Sequence, residues 1–92
     1  MTPLTLPRLA GGRDRARTLA ARLPTELAGA IVTMDCRDLL SSPPSFADEL
    51  VKIILVQRRA DMLHAQGAGT EFALYLVESA TTRGVTDRLK VD

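Results

Sequence analysis

Three serines, Ser41, Ser42 and Ser45, frame a Pro43-Pro44 pair, and two acids, Asp48 and Glu49, follow at helical distance. Hydroxyls at a helix start have two uses. One is capping: in the S-x-x-[DE] pattern, here Ser45 to Asp48, a serine oxygen accepts the third helical N–H while the acid reaches back. Such a cap contributes about 1 kcal/mol. The other is phosphate acceptance, which adds nearly two negative charges and bulk to a surface. Ser42, Ser45 and Ser41 are therefore candidate phosphoacceptors. Asp48 and Glu49 also read two ways, as partners of the helix dipole or as an exposed acidic pair at an interface. Asp35 closes a β-rich run, where parallel-sheet proteins often place binding groups; a loop-capping aspartate is its plainer reading. Asp35, Ser45, Asp48 and Glu49 together form the candidate partner-binding set.

The remaining reactive residues lack companions. His64 has no second histidine and no cysteine near it, and zinc needs three or four ligands, so no metal site is expected. Cys36 is the only cysteine, which excludes an internal disulfide. Without a paired base it reads as a small buried hydrophobe and not as a nucleophile. Gly67-Ala68-Gly69-Thr70 leads into a helix as phosphate loops do, but lacks their lysine and full glycine spacing, leaving a turn. No catalytic residue and no cofactor are expected.

Five arginines against one acid, Asp14, lie between Arg8 and Arg22. Arg13, Arg15, Arg17 and Arg22 form a possible basic patch, with a solvated helix side as its first reading and an acidic protein partner as its second. Nucleic acid is the unlikely third, because phosphate affinity needs several converging cations and the net charge of +1 adds no general field. Phe46, Phe72 and Tyr75 are the only aromatics, too few for a base-stacking platform.

The elements that must position these residues follow from periodicity. Leu4-Thr5-Leu6 alternates as a short strand that Pro3 and Pro7 confine to a sheet edge. Ala16, Leu19, Ala20 and Leu23 then predict a helix, with Asp14 as N-cap and Pro24 as stop. Ala30 to Met34 predicts a buried central strand ending near Asp35-Cys36. From Ser45 to Arg59 the Ala47–Val51–Ile54 and Phe46–Leu50–Ile53 rows predict a helix, although "LVKIILV" alone is rich in β-branched residues. This helix is apolar around more than half its circumference and is expected to be heavily buried. Ala60 to Ala65 predicts a third strand, Thr70 opens a helix that Gly84 ends, and Val85 to Val91 predicts a fourth strand. The order β-α-β-α-β-α-β implies an α/β fold with parallel pairs and packed helices in a single domain, 1–92.

Three blocks carry a resemblance. "GRDRARTLAARL" (12–23), "IVTMDCRDLLSSPPSFADEL" (31–50) and "HAQGAGTEFALYLVESA" (64–80) resemble the STAS-like domain family, with "SFADEL" the distinctive element. These are bacterial relatives of the STAS domain of anti-sigma factor antagonists. The resemblance implies a small mixed sheet of about four strands flanked by helices, no catalytic machinery, and a role in bacterial signalling. It also implies a protein partner of the anti-sigma kinase or ATPase type, and a serine switch at the start of the helix after the central strand. The chain departs from the family's Asp-Ser-Ser-Gly turn: aligning the helix starts puts Pro44, which cannot be phosphorylated, near the switch position. A homo-oligomer is also expected if a sheet edge or the 46–56 helix is left uncovered. The start of the chain lacks the basic residues and long apolar run of a signal peptide, and no run approaches the ~18 apolar residues of a membrane span. A soluble, cytoplasmic protein is expected.

Overall fold

The computed structural model describes residues 1–92. Strand β1 spans Thr2–Thr5, helix α1 Arg13–Ala20, strand β2 Ile31–Asp35 and helix α2 Pro44–Val51. The same rod continues as a π-helical segment, Lys52–Gln57. Strand β3 (Met62–Gln66), helix α3 (Thr70–Arg83), a 3-10 turn (Thr86–Arg88) and strand β4 (Leu89–Val91) complete the chain. This is the α/β alternation expected, and the span from Phe46 onward is helical and buried.

The four strands lie in chain order, β1-β2-β3-β4, and every pairing is parallel, where a mixed sheet was expected. Right-handed crossovers that all advance in one direction deliver every helix to the same side of the sheet. Burial records this. Leu4, Val32, Met34, Leu63 and Ala65 point toward the helices and are buried, whereas Pro3, Thr5, Ile31, Gln66 and Lys90 are exposed on alternate positions. The core therefore sits between one sheet face and a single layer of helices. β2 is central but covered on one side only, and its Ile31 is 44% exposed.

Several ends differ from expectation for identifiable reasons. Helix α1 begins at Arg13 after Gly12, with no side-chain cap, so Asp14 is inside the helix and not its N-cap. Val85 is buried, but Thr86–Arg88 turn as a 3-10 helix, leaving β4 three residues long and Asp87 outside it. Gly84 ends α3 as expected, in the left-handed region at φ +70°. Two arginines close the opposite end of the sheet by donating to main-chain oxygens. Arg58 donates to the carbonyls of Ala20 (2.6 Å) and Leu23 (3.2 Å) at the exit of α1. Arg88 donates to those of Leu55 (2.6 Å) and Ala60 (3.0 Å), at and beyond the π-helical segment. A cation is well placed against carbonyls at a helix exit.

Candidate functional site

The entrance to α2 is built by three neighbouring segments at the carboxyl ends of the strands. The chain leaving β1 runs beside the loop after β2: the Leu40 N–H donates to the Arg8 carbonyl (2.9 Å), and Leu9 bridges Ser41. That loop and the first turn of α3 flank a cavity of about 220 Å³, lined by residues 39–42 and 69–72. Leu9 and Leu40 remain 72% and 66% exposed beside it. Sequence reasoning did not single them out. The available signal was an isolated leucine in each of two turn-rich segments, "PRLAGG" and "DLLSSPP", without helical or strand partners.

The serines occupy three different environments. Pro43 takes the N-cap position and Pro44 the first helical turn, so Ser45 lies inside α2 and makes no capping bond. The expected Ser45–Asp48 capping box is absent. Proline suits the first turn because its φ is already helical and its missing N–H would have no helical partner. Ser45 is half-buried against α1, its hydroxyl close to Gly12. The Ser42 hydroxyl is enclosed without a hydrogen-bond partner, whereas Ser41 is exposed.

Asp48 and Glu49 fall beyond the first turn of α2, and neither stands as a free acid. Glu49 is 2% exposed at its side chain and accepts from Arg13 (3.0 Å) and Arg17 (3.0 Å), with Lys52 at 3.1 Å. Burial alone would raise this carboxyl, yet the bonds from Arg13, Lys52 and Arg17 hold it below its ordinary value. Asp48 is gripped from the other side: Arg83 donates through Nε (3.0 Å) and Nη2 (2.8 Å), Ser79 at 2.7 Å and Arg13 at 2.8 Å. Arg83 foremost holds it well below the carboxylate range, despite the opposing effect of burial. The adjacent acids thus tie α1, α2 and α3 together. Their reading as an exposed pair gives way to one of internal clamping.

The same pairs revise the basic patch. Arg13 and Arg17 are committed to these acids, and Arg17 also to Asp14 at 2.9 Å. Arg15 and Arg22 remain exposed and make no ion pair. At the end of β2, Asp35 accepts from the Arg37 main chain (3.0 Å) and from its guanidinium (3.0 and 2.8 Å). It is a loop-capping residue, held by Arg37 at about 2. Cys36 is buried, and desolvation first, with Asp35 nearby, pushes its thiol up to about 12. His64 lies within β3 and not at its end, with Nε2 2.6 Å from the Asp92 carboxylate. No group of three or more potential metal ligands occurs.

The topology bears on what this entrance can bind. Open α/β sheets bind small ligands where the strand order reverses and neighbouring loops diverge to opposite faces. Here the order never reverses, so no such crevice opens. What remains is an entrance with two exposed leucines, an exposed serine and two prolines, beside a small cavity. No family model matches the chain, and no curated protein or solved structure shows significant similarity to it.

Proposed function

We propose that the chain is a non-catalytic protein-interaction module of the STAS-like kind, soluble and cytoplasmic, that docks a signalling partner at the entrance to α2. The observation that carries this reading is the exposure of Leu9 and Leu40 on two bridged segments at that entrance. Large apolar side chains held out by rigid, hydrogen-bonded segments favour a protein contact. The one-directional winding of the sheet supports it, since the strand order has no reversal of the kind at which open α/β sheets hold small ligands. No helix is long and apolar enough to cross a membrane, which is consistent with a soluble protein. The "SFADEL" resemblance suggests an ATP-dependent kinase of the anti-sigma class as the partner. Within this reading Ser41 is the phosphoacceptor, since the Ser42 hydroxyl is enclosed and Ser45 is half-buried inside α2.

Mass spectrometry of the protein isolated with its native associates tests both parts together. The expected result is a stoichiometric protein partner, lost from the Leu40→Arg variant, and phosphate confined to Ser41. Retention of every associate by that variant, or phosphate on Ser42 or Ser45, contradicts the reading.

A further inference from the structure

Helix α3, 14 residues long, begins with three donors that the chain leaves unused. Its first ladder bond runs from the Ala73 N–H to the Gly69 carbonyl (2.9 Å), and the N–H groups of Thr70, Glu71 and Phe72 meet no acceptor. Gly69 at the N-cap has no side chain to satisfy them, and a Cβ built there would meet nothing within 4 Å. The space before the helix is therefore open, and it adjoins the cavity of about 220 Å³ between the loops after β2 and β3. The contact of Phe72 with Phe46, ring centroids 6.1 Å apart, fixes this first turn against α2.

The loop after β2 contributes an independent observation. Ser42 lines the same cavity, and its hydroxyl oxygen is buried without a hydrogen-bond partner. A buried hydroxyl left unpaired carries the full cost of its desolvation. The three N–H groups only donate, and the hydroxyl can donate as well. A ligand that satisfies all four must present several acceptor oxygens, and the helix dipole favours negative charge on them.

The geometry points to a phosphoryl-group site in this cavity, held by the N–H groups of Thr70, Glu71 and Phe72 and by the Ser42 hydroxyl. The volume lies below the ~300–1,000 Å³ of pockets that enclose a drug-sized ligand. The group therefore enters as a free phosphate or as the end of a larger molecule. Two charges set the strength. Glu71 is the one acid on the wall and opposes an anion. Arg37 lies against Gly67 in the loop before α3, but its guanidinium is engaged by Asp35. Binding thus rests on the N–H groups and the hydroxyl, which places it in the millimolar class for a free ion.

The phosphoryl group has two possible sources. Ser41 is exposed on the cavity wall. If a partner kinase modifies it, the γ-phosphoryl group of ATP moves to the Ser41 oxygen, with release of ADP and a proton, and the bound group is the chain's own. That source rests on the function proposed above, whereas the site itself does not. The other source is a free phosphate or phosphomonoester.

An NMR titration of the full chain with inorganic phosphate, at ionic strength held constant with sodium chloride, tests the site. The amide resonances of Ser42, Thr70, Glu71 and Phe72 should shift and saturate with a Kd of about 1–10 mM. Ser42→Ala removes only the unpaired hydroxyl, so it should stay folded and raise the Kd about tenfold. Gly69→Asp places a capping carboxylate where the anion would sit. It should abolish the saturable shifts while raising the urea midpoint of unfolding, a combination that a damaged fold cannot imitate. A chain carrying phosphate on Ser41 separates the sources. If its own phosphate fills the site, the three α3 amides are displaced before any ion is added and no longer respond; if they titrate like the parent's, the site takes a free ligand. No saturable shift in either form, binding that survives Gly69→Asp, or a Ser42→Ala Kd equal to the parent's would each overturn the site. The associate captured through Leu40 is read without added phosphate, so the docking surface and this site can fail separately.

Discussion

Replacing Glu49 by glutamine removes one charge from the centre of the helix layer while keeping shape and one acceptor. The parent carboxylate takes bonds from Arg13 and Arg17 at 3.0 Å and contacts Lys52 at 3.1 Å. A hydrogen bond to a charged group contributes about 1.5–3 kcal/mol when shielded. The three cations are 43%, 56% and 28% exposed, so solvent screening reduces each contact to about 0.5–1 kcal/mol. The sum is about 2 kcal/mol. For a chain of this size, with a urea slope near 1 kcal/mol/M, the unfolding midpoint should fall by about 2 M. Acidity supplies the second arm. The Glu49 carboxyl sits below its ordinary value in the folded chain, so its contribution is complete above the unfolded carboxylate range. It is lost as pH falls below about 4. The gap between parent and Glu49→Gln should therefore be full at pH 7 and close progressively below that point. A gap under about 0.5 kcal/mol at pH 7, or one unchanged at pH 3, would refute the clamp.

Other substitutions separate the remaining assignments. Ser45→Ala should cost less than about 0.5 kcal/mol in urea unfolding, against about 1 kcal/mol for a true cap, because Ser45 makes no capping bond. Gly84→Ala should cost about 1 kcal/mol from its φ of +70° alone, since a Cβ there would meet nothing within 4 Å. Gly67→Ala should cost more than Gly84→Ala: its φ is +72° and its Cβ would lie 2.4 Å from Cγ of Arg37, forcing that side chain off Asp35. Cys36 should resist alkylation at pH 8 in the native state and react fully in denaturant, given its burial and a thiol pushed up to about 12.

The alternation of elements was legible because each has a period and a stop of its own. Leu50, Ile53 and Ile54 repeat at helical spacing, and Gly84 punctuates α3 where the left-handed turn occurs. Thr70 marked the start of α3, but the starts of α1 and α2 were not legible. Two prolines displaced the expected serine cap by supplying a preformed first turn, and the acid that pattern assigned to the cap found Arg83 instead, 35 residues away. No local pattern encodes such a partner. The π-helical segment was equally silent in "KIILVQ": the Arg58 N–H reaches back five residues to the Ile53 carbonyl (2.9 Å) while the apolar stripe simply continues. Strand order lay outside the sequence as well, and with it the bare sheet face, because Ile31-Val32-Thr33-Met34 suits either one-sided or two-sided cover. At the α2 entrance the prolines and serines marked the place, while the exposed leucines Leu9 and Leu40 were passed over as loop.

Because β1, β2, β3 and β4 lie side by side in the order they are synthesised, each new strand finds its template already laid down. A nascent chain can therefore add one strand-and-helix layer after another as it leaves the ribosome, never holding a place open for a strand still to be made. The single exception in timing is the helix layer's clamp: Asp48 and Glu49 emerge after Arg13 and Arg17 but well before Arg83. Arg83, the last residue of α3, thus ties its own helix to two that are already in position, before β4 completes the sheet.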